Sequence, residues 1–417
     1  MKNRYISGRA GNIILFLTVT VMYTVVYMTK NMFSSAMAVI VEDGVMTKAQ
    51  TGAIGAAFWL VYGAFQLLGG VISDKLPPSL LICIGIAGGA LANFVIYLNH
   101  SYAVIMIAWM LNAVVQSGVW PAVFRIVSIE IEPKYRAKAM FLILYTSTLG
   151  LVASMLVASL VEKWDENFLL SGIFLIAVLV AWILIYTPIS RRMTAEQRDE
   201  AVREISVGKS EHSFVGIALL SGLFGIFIIN FLKTCVGNGI QMVTPTMLME
   251  SYEGLPAAVS TRLGIILVIA ATFGNPLASF VDKHITGNEM KATLILSAVC
   301  AVPVALNCFV GAIPYPFLIA LLSVELLLFQ AMSIFTVVTA ARRFAYCGKS
   351  GAAAGFLNAS GAFANVVASF AFPAVAQYFS WRVVTVIWLA LMLLTLLVAV
   401  IFSKRWTHFV EKDPDYM

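Results

Sequence analysis

Long apolar runs with few charged residues alternate with short polar segments along the whole chain. The hydrocarbon core of a bilayer needs about 20 apolar residues per helix, and these runs reach that length. Dividing the runs at polar, glycine and proline turns predicts twelve spans, numbered in chain order: 12–40, 49–72, 79–98, 102–128, 138–161, 167–188, 213–248, 259–281, 291–311, 316–340, 351–378 and 382–403. The pattern therefore predicts an all-α integral membrane protein with twelve transmembrane helices.

One polar segment, residues 190–213, is much longer than the turns between the other spans. It separates six spans from six spans, so we expect two related six-helix domains, 1–189 and 214–417, joined by a linker. Matching residues recur in the two halves: Asp74-Lys75 with Asp282-Lys283, and Lys30 with Lys233. Repeated halves packed around a site near the bilayer midplane are the usual architecture of secondary transporters.

The composition agrees with a membrane location. Hydrophobic residues make up 60% of the 417 residues, charged residues make up 12%, and the mean hydropathy is +0.91. Soluble domains are about 45–50% apolar and about 25% charged. A soluble chain of this size could not bury so much apolar surface, so lipid must cover it.

The net charge of +6 has a topological explanation, so no nucleic-acid partner is expected. Lysine and arginine are concentrated on one side of the twelve-span map, which includes both termini and the segment 190–213. Such residues collect on the cytoplasmic side of a membrane. We therefore expect a multi-pass protein of a bacterial inner or plasma membrane, with both termini and the linker in the cytoplasm.

The sequence offers no pattern of soluble-enzyme chemistry. The four histidines do not have metal-ligand spacing, and there is no phosphate-binding loop of the Gly-x-x-x-x-Gly-Lys type. The five cysteines are scattered through apolar runs without paired spacing, which predicts free thiols. We expect no cofactor, no metal and no enzymatic activity.

Among the ionisable residues inside predicted spans, four stand out: Lys30, Arg125, Lys233 and Glu325. Each costs about 2.5–3.5 kcal/mol to insert at a helix centre, so such residues usually serve a function. Lys30 lies twelve residues before Glu42, which places it about 18 Å below the membrane surface at a rise of about 1.5 Å per residue. Lys30 is therefore expected near the middle of the membrane.

Lys30 and Lys233 lie on corresponding spans, so we expect them to meet across a central cavity. An ammonium offers three donors and a compact charge, which suits an anionic substrate. The alternative is that an intramembrane acid neutralises them, and Glu325 is the clear candidate. Glu325 then has two interpretations: it pairs with one of the lysines, or it carries a proton.

Aromatic and amide residues are expected to shape the same site. On span 1, Tyr27, Lys30 and Asn31 share one face through three- and four-residue spacing, and Tyr23 lies one turn earlier. Further predicted substrate-binding residues are Trp59, Tyr62 and Gln66 on span 2, Arg125 on span 4, Gln241 on span 7 and Asn358 on span 11. Amides of this kind also form ordinary interhelical hydrogen bonds, so both roles stay open.

Several motifs resemble those of a known family. Span 2 ends in Gly70-x-x-x-Asp74-Lys75, which is similar to a loop motif of the major facilitator superfamily. Span 4 contains Gln116-Ser-Gly-Val-Trp120-Pro121-Ala-Val-Phe-Arg125, which resembles a stretch of the organophosphate:phosphate antiporters, the group of the glycerol-3-phosphate and hexose-phosphate transporters. Two further segments resemble their helix 1 and the start of their helix 11: Tyr27-Met-Thr-Lys30-Asn-Met-Phe33-Ser-Ser-Ala36-Met37 and Gly351-Ala-Ala-Ala-Gly355-Phe356.

The resemblance implies a major facilitator fold of two pseudo-symmetric six-helix bundles, and rocker-switch exchange of a phosphorylated organic solute for inorganic phosphate. In that family an arginine on helix 1 and another on helix 7 hold the phosphate. The matching positions here are Lys30 and Gly237, with Lys233 one turn before Gly237, and the family's helix 5 histidine matches Ser147. Lysine lacks the two-pronged contact of arginine. The anionic substrate is therefore a different organophosphate, a sulfonate or a carboxylate, and these alternatives stay open.

Three hypotheses follow. The first is an alternating-access transporter that exchanges a small organic anion for phosphate. In this hypothesis Trp120 also shapes the site for the organic part of the anion. The second is a proton-coupled symporter of an anionic sugar acid or other carboxylate, with Glu325 as the proton carrier. The third is a membrane sensor of sugar phosphates, as some relatives of these antiporters are.

Charged residues at the cytoplasmic ends of the spans are expected to latch that side of the protein. These predicted gate residues are Asp74, Lys75, Arg136, Asp282 and Lys283. We expect a monomer surrounded by membrane lipid.

Overall fold

A computed structural model describes residues 9–73, 76–161, 163–190, 214–255, 257–344, 347 and 349–411. Nearly all of these residues are helical, and none of them forms a β-strand. Twelve helical stretches in the described part of the chain are long and apolar enough to cross a membrane. The predicted all-α membrane architecture is thereby confirmed.

The first six spans are formed by seven helices: α1 (Arg9–Glu42), α2 (Lys48–Ser73), α3 (Pro78–Leu98), α4 (Tyr102–Gln116), α5 (Val119–Ile129), α6 (Pro133–Leu160) and α7 (Glu166–Ser190). Span 4 is divided between α4 and α5 at Ser117 and Gly118, just before Pro121. A proline has no N–H, and its ring clashes with the carbonyl four residues earlier. The regular helix therefore ends at Gln116 and starts again at Val119, two residues before Pro121.

The remaining described spans are formed by α8 (Phe214–Ser221), α9 (Leu223–Ser251), α10 (Ala257–Thr272), α11 (Gly274–His284), α12 (Glu289–Leu306), α13 (Tyr315–Ser333), α14 (Ala340–Arg343), α15 (Ser350–Tyr378) and α16 (Trp381–Glu411). A 3-10 turn, Asn307–Phe309, follows α12, and a π-helical segment, Ile334–Thr339, joins α13 to α14. Span 7 breaks at Gly222, whose φ of 85° is a conformation that favours glycine.

Capping residues explain where several helices begin. Ser101 Oγ accepts a hydrogen bond from the Val104 N–H at 3.4 Å, before α4. Asn288 Oδ1 accepts from the N–H groups of Met290 (3.1 Å) and Lys291 (3.0 Å), before α12. These side chains satisfy N–H groups that have no partner in the first turn of a helix.

The chain divides into two compact units. The first contains the described residues among 1–209 and 345–355, and the second contains those among 210–344 and 356–417. The predicted linker, 190–213, lies outside the described residues except for Ser190. The predicted domain limits at 189 and 214 stay predictions.

In the first unit, α1 packs against α6 and α7, and α2 packs against α4. The contact between α1 and α6 is closest at Gly150, where an added Cβ would lie 2.4 Å from Tyr27 Cβ and 2.7 Å from the Met28 nitrogen. Only a residue without a side chain allows this approach. Gly150 therefore sets the distance between α6 and the face of α1 that carries Tyr27 and Lys30.

Replacing Gly150 with alanine is expected to destabilise the first unit. The new methyl group must push α6 away from α1, and overpacking of this kind costs about 1–3 kcal/mol of unfolding free energy. Thermal denaturation of the purified protein measures the loss. Gly52→Ala is the matched control, because a Cβ at Gly52 meets no atom within 4 Å. Equal melting temperatures for the two variants would contradict the packing described.

Candidate functional site

Lys30 is buried in the first unit between two tyrosine rings. Its side chain is 4% exposed, and its Nζ donates a hydrogen bond to Tyr62 Oη at 3.0 Å. The same nitrogen lies 4.6 Å from the ring centre of Tyr27 and 4.3 Å from that of Tyr62. A cation over an aromatic face is attracted by the negative charge of the ring. The two tyrosines therefore hold the ammonium in the middle of α1.

The charge of Lys30 is not neutralised by an acid within the described residues. The described salt bridges with Asp or Glu belong to His100, Lys134 and Arg343. Tyrosine rings and hydroxyl oxygens stabilise a cation but leave its net charge in place. Lys30 is therefore a buried positive charge with neutral neighbours, which is the arrangement that an anionic ligand complements.

Further aromatic rings extend the surroundings of Lys30. Trp59 meets Tyr62 edge-on with ring centres 5.8 Å apart, and Phe58 stacks on Tyr62 at 5.9 Å. Tyr23 packs against Tyr27 at 4.9 Å and stacks on Trp120 at 5.7 Å. The structure thus brings together the four predicted aromatic residues of this half, Tyr27, Trp59, Tyr62 and Trp120. Tyr23, which was expected near the site, and Phe58, which was not predicted, complete the cluster.

Three other predicted residues of the first unit make backbone contacts. Gln66 Nε2 donates to the Ser117 carbonyl at 3.0 Å, across the break between α4 and α5. Asn31 Nδ2 donates to the Tyr27 carbonyl at 2.8 Å, within α1. Arg125 Nη1 donates to the Leu76 carbonyl at 3.0 Å. Leu76 belongs to the turn before α3, so the structure does not place the Arg125 guanidinium at the Lys30 ammonium.

Lys233 is buried in the second unit, where it is 2% exposed. Its Nζ donates to Ser333 Oγ at 2.6 Å and to Thr234 Oγ1 at 3.2 Å. Ser333 in turn donates its own hydroxyl hydrogen to the Phe329 carbonyl at 2.9 Å. Since that hydrogen is already used, Ser333 faces Lys233 as an acceptor. Here too the described partners of the ammonium are neutral.

Polar side chains tie the helix of Lys233 to its neighbours. Asn230 Nδ2 donates to Ser360 Oγ at 2.7 Å and to the Leu357 carbonyl at 3.0 Å, both on α15. Asn230 Oδ1 accepts from Thr336 Oγ1 at 3.1 Å, within the π-helical segment. Segments of this kind occur frequently at functional sites because they turn side chains away from the regular helical register. Ser333 and Thr336 flank the turn at which the π-helix begins.

Replacing Ser333 with alanine is expected to destabilise the ligand-free protein. The buried ammonium loses an acceptor, and a hydrogen bond to a charged group contributes about 1.5–3 kcal/mol to unfolding free energy. Ser323→Ala is the matched control, because Ser323 lies on the same helix and donates to the Ile319 carbonyl in the same way. Denaturation of both variants compares them, and Ser333→Thr should restore the loss. Equal stability of Ser333→Ala and Ser323→Ala would contradict the contact.

Two predicted residues of the second unit lie apart from Lys233. Gln241 is partly buried on α9, eight residues beyond Lys233, or about 12 Å along the helix. Asn358 is partly buried on α15. No hydrogen bond of either amide to another described residue is found. Their role in binding stays a prediction.

Glu325 does not pair with Lys233, so the salt-bridge interpretation was wrong for that lysine. Its carboxyl is completely buried on α13 and accepts a hydrogen bond from Asn307 Nδ2 at 2.7 Å. The reason is distance along the helix: Glu325 lies eight residues before Ser333, about 12 Å from the turn that contacts Lys233. The two charged groups therefore occupy different levels of the second unit.

The predicted gate is described in part. Asp74 and Lys75 lie outside the described residues. Asp282 and Lys283 are exposed at the end of α11, and Arg136 Nε donates to the Ile131 carbonyl at 2.8 Å. A latch formed by these residues stays a prediction. Among the described residues, no group of three or more His, Cys, Asp or Glu side chains could hold a metal ion.

Comparison with known families agrees with this architecture. The family model of the Major Facilitator Superfamily matches residues 19–346. This chain belongs to the major facilitator superfamily. As a superfamily member with twelve candidate spans, it is a multi-pass membrane protein.

Relatives of this superfamily member include proteins named for phosphorylated and sulfonated solutes. A probable hexose phosphate transport protein of Chlamydia trachomatis is 27% identical over 114 residues, which cover 27% of this chain and 25% of that protein. The membrane sensor protein UhpC of Escherichia coli is 25% identical over 114 residues, 27% of this chain and 26% of that protein. A probable sulfoacetate transporter of Cupriavidus necator is 24% identical over 287 residues, 64% of each chain. The alignment spans about a quarter of the first two relatives, and it confirms the resemblance to the hexose-phosphate group.

Solved structures of the superfamily share the fold. The human organic anion transporter MFSD10 matches with a TM-score of 0.67 and 13% identity, over 94% of this chain and 100% of that chain. The transporter FucP in its outward conformation matches with a TM-score of 0.66 and 13% identity, over 94% and 99%. A bacterial homologue of Spinster matches with a TM-score of 0.68 and 14% identity, over 97% and 99%. The predicted major facilitator fold is thereby confirmed.

Proposed function

We propose that this protein is a secondary transporter of a small organic anion, and that Lys30 and Lys233 bind the anionic group. The observation that carries the proposal is the same in both units. Each lysine is buried in a membrane-spanning helix, at 4% and 2% exposure, and each has neutral hydroxyl partners in the described residues. Such a charge costs free energy until an anion offsets it.

The chemistry of lysine suits a compact anionic group but does not select one particular geometry of that group. An ammonium is a point charge with three donors, whereas arginine presents a planar fork. The names of the relatives support an anion of this type, since a hexose phosphate and a sulfoacetate both carry a tetrahedral oxyanion. We infer a substrate among organophosphates, sulfonates and carboxylates, with the aromatic cluster around Lys30 contacting its organic part.

The transport cycle that fits is alternating access by rocker-switch motion, with inorganic phosphate as the exchanged ion. We place the protein in a bacterial inner membrane with both termini in the cytoplasm, in keeping with the distribution of lysine and arginine. Asp282, Lys283 and Arg136 are assigned to the cytoplasmic gate together with Asp74 and Lys75. The protein acts as a monomer that transports its solute and performs no chemistry on it.

A thermal-shift screen tests the anionic class of the ligand. Ligands that bind the folded state raise the melting temperature, so phosphorylated, sulfonated and carboxylated metabolites are compared with their neutral alcohol or amide analogues. At least one anion should raise the melting temperature, and its neutral analogue should not. Equal shifts by a charged ligand and its neutral analogue would overturn the proposal.

A second candidate function is symport of the anion with protons. The observation in its favour is Glu325, a buried carboxyl with an amide partner and no described cation. Exchange in proteoliposomes separates the two candidates: uptake that requires phosphate inside the vesicles supports antiport. Uptake driven by a pH gradient without internal phosphate supports symport.

A sensor is the third candidate, since one relative is named a membrane sensor protein. A sensor binds the anion without moving it across the membrane. Binding in the thermal-shift screen combined with no uptake and no exchange would favour this function over transport.

A further inference from the structure

A second polar pair is buried in the second unit, at a different level from Lys233. Glu325 Oε1 accepts the hydrogen bond from Asn307 Nδ2. The remaining oxygens of the two side chains, Glu325 Oε2 and Asn307 Oδ1, are also buried and have no hydrogen-bond partner in the described part of the chain. Buried polar atoms without partners are rare, and each one calls for a physical reason.

One proton satisfies both oxygens. A carboxylate is an acceptor through both oxygens, whereas a carboxylic acid has one O–H donor. With Oε2 protonated, the O–H group donates to Asn307 Oδ1 while Asn307 Nδ2 donates to Oε1, and the two groups form a closed ring of two hydrogen bonds. An ionised carboxylate would instead leave Glu325 Oε2 and Asn307 Oδ1 unpaired and bury an uncompensated charge.

Among the side chains that the structure describes, the surroundings of Glu325 offer no compensating cation. The helices packed against α13 are α9, α10, α11 and α12. The titratable side chain that interacts with Glu325 from α12 is Cys300, a thiol. Lys233 on α9 bonds to Ser333, about 12 Å along α13 from Glu325. The charged residues of α11, Asp282 and Lys283, are exposed at its end.

We propose that Glu325 and Asn307 form a proton-binding site, a neutral carboxylic acid–amide pair that releases its proton when the two side chains separate. The step is an acid–base transfer: the Oε2–H bond breaks, the proton passes to water, and a carboxylate remains. Asn307 lies in the 3-10 turn after α12 and Glu325 on α13. A shift of α13 relative to that turn opens the pair.

The position of the pair on α13 couples it to the proposed anion site. The helix that carries Glu325 also carries Ser333, which accepts from Lys233. Movement of α13 therefore changes the partners of the proton site and of Lys233 together. This coupling role rests on the proposed transport function, whereas the existence of the protonated pair does not.

Infrared spectroscopy of the full chain in a maltoside detergent at neutral pH tests the pair, because this detergent has no carbonyl group that would hide the band. A protonated carboxylic acid has a C=O stretch that is separate from the bands of carboxylates and amides. The wild-type spectrum should contain this band, and Glu325→Gln should lose it. Glu253→Gln should keep it, because Glu253 is exposed in the turn after α9. Asn307→Ala should move the band to higher frequency, since the carbonyl loses a hydrogen bond.

Glutamine is close in shape to the neutral acid and can donate to Asn307 Oδ1, so Glu325→Gln is expected to fold. Should it fail to fold, Glu325→Asp withdraws the carboxyl from Asn307 and should shift the band instead. A wild-type spectrum without the band, or a band that none of the Glu325 and Asn307 variants changes, overturns the proposal. This readout needs no transported solute. Failure of anion transport would therefore not contradict the protonated Glu325–Asn307 pair. Absence of the pair would not contradict the proposed roles of Lys30 and Lys233.

Discussion

Replacing Lys30 with methionine is expected to abolish anion uptake while the protein stays folded. Methionine keeps most of the side-chain volume and removes the charge between Tyr27 and Tyr62. Removing one partner of a buried charge contact costs about 2–5 kcal/mol of binding free energy, which is about 30-fold to several thousand-fold in affinity. Calorimetric titration of the anion found in the thermal-shift screen measures the affinity, and uptake into proteoliposomes measures transport.

The melting temperature of Lys30→Met shows whether the lysine acts on the ligand or on the stability of the fold. A buried charge without an acidic partner carries a desolvation cost that methionine removes, so the melting temperature without ligand should not fall. Lys404→Ala, at an exposed lysine near the end of α16, is the control and should keep wild-type uptake. Wild-type uptake by Lys30→Met would contradict the assignment of Lys30. A large fall in its melting temperature would show that the lysine stabilises the fold.

Replacing Lys233 with methionine is expected to reduce exchange by a similar factor, with a dependence on the charge of the ligand. The Coulomb energy between an ammonium and a ligand is proportional to the ligand's charge. The variant should therefore lose more affinity for a dianionic phosphate ester than for a monoanionic sulfonate of similar size. Titrations of both ligands against wild type and variant give the two ratios.

Lys291→Ala is the control for Lys233, because Lys291 is an exposed lysine of the same unit. It should leave both affinities unchanged. Equal losses for the monoanion and the dianion would indicate that Lys233 acts on the fold and not on the charge of the ligand. Wild-type exchange by Lys233→Met would remove Lys233 from the proposed site.

The spans could be predicted from the sequence because hydropathy reports directly on the membrane. Span 3 was predicted at 79–98 and is Pro78–Leu98, and span 11 was predicted at 351–378 and is Ser350–Tyr378. Proline and capping residues set such limits locally. The π-helical segment Ile334–Thr339 has no such local signal in an apolar run, so span 10 was predicted as an uninterrupted helix.

The surroundings of the lysines could be predicted only in part. Tyr27 lies three residues before Lys30, and this spacing places both on one face of a helix. Ser333 is an ordinary hydroxyl residue of span 10, and nothing in its local sequence indicates that it accepts from Lys233. Such a contact depends on how two helices pack, which hydropathy and spacing do not determine.

Charge alone did not identify the partner of Glu325. One of the two interpretations placed Glu325 against a lysine because it is the acid inside the predicted spans, but Glu325 lies against Asn307. Arg125 Nη1 donates to the Leu76 carbonyl, and its expected role at the substrate stays a prediction. For Glu325, depth along the helix decides the partner, and a one-dimensional sequence gives the depth of each group only relative to its own span.

Counterflow in proteoliposomes tests the central claim most directly. Vesicles containing the purified protein are loaded with the unlabelled anion that raises its melting temperature and are then diluted into a trace of labelled anion. Label should accumulate transiently above its equilibrium level in wild-type vesicles, and should not do so with Lys30→Met or Lys233→Met. Binding of the anion by wild-type protein without any counterflow would contradict a transporter.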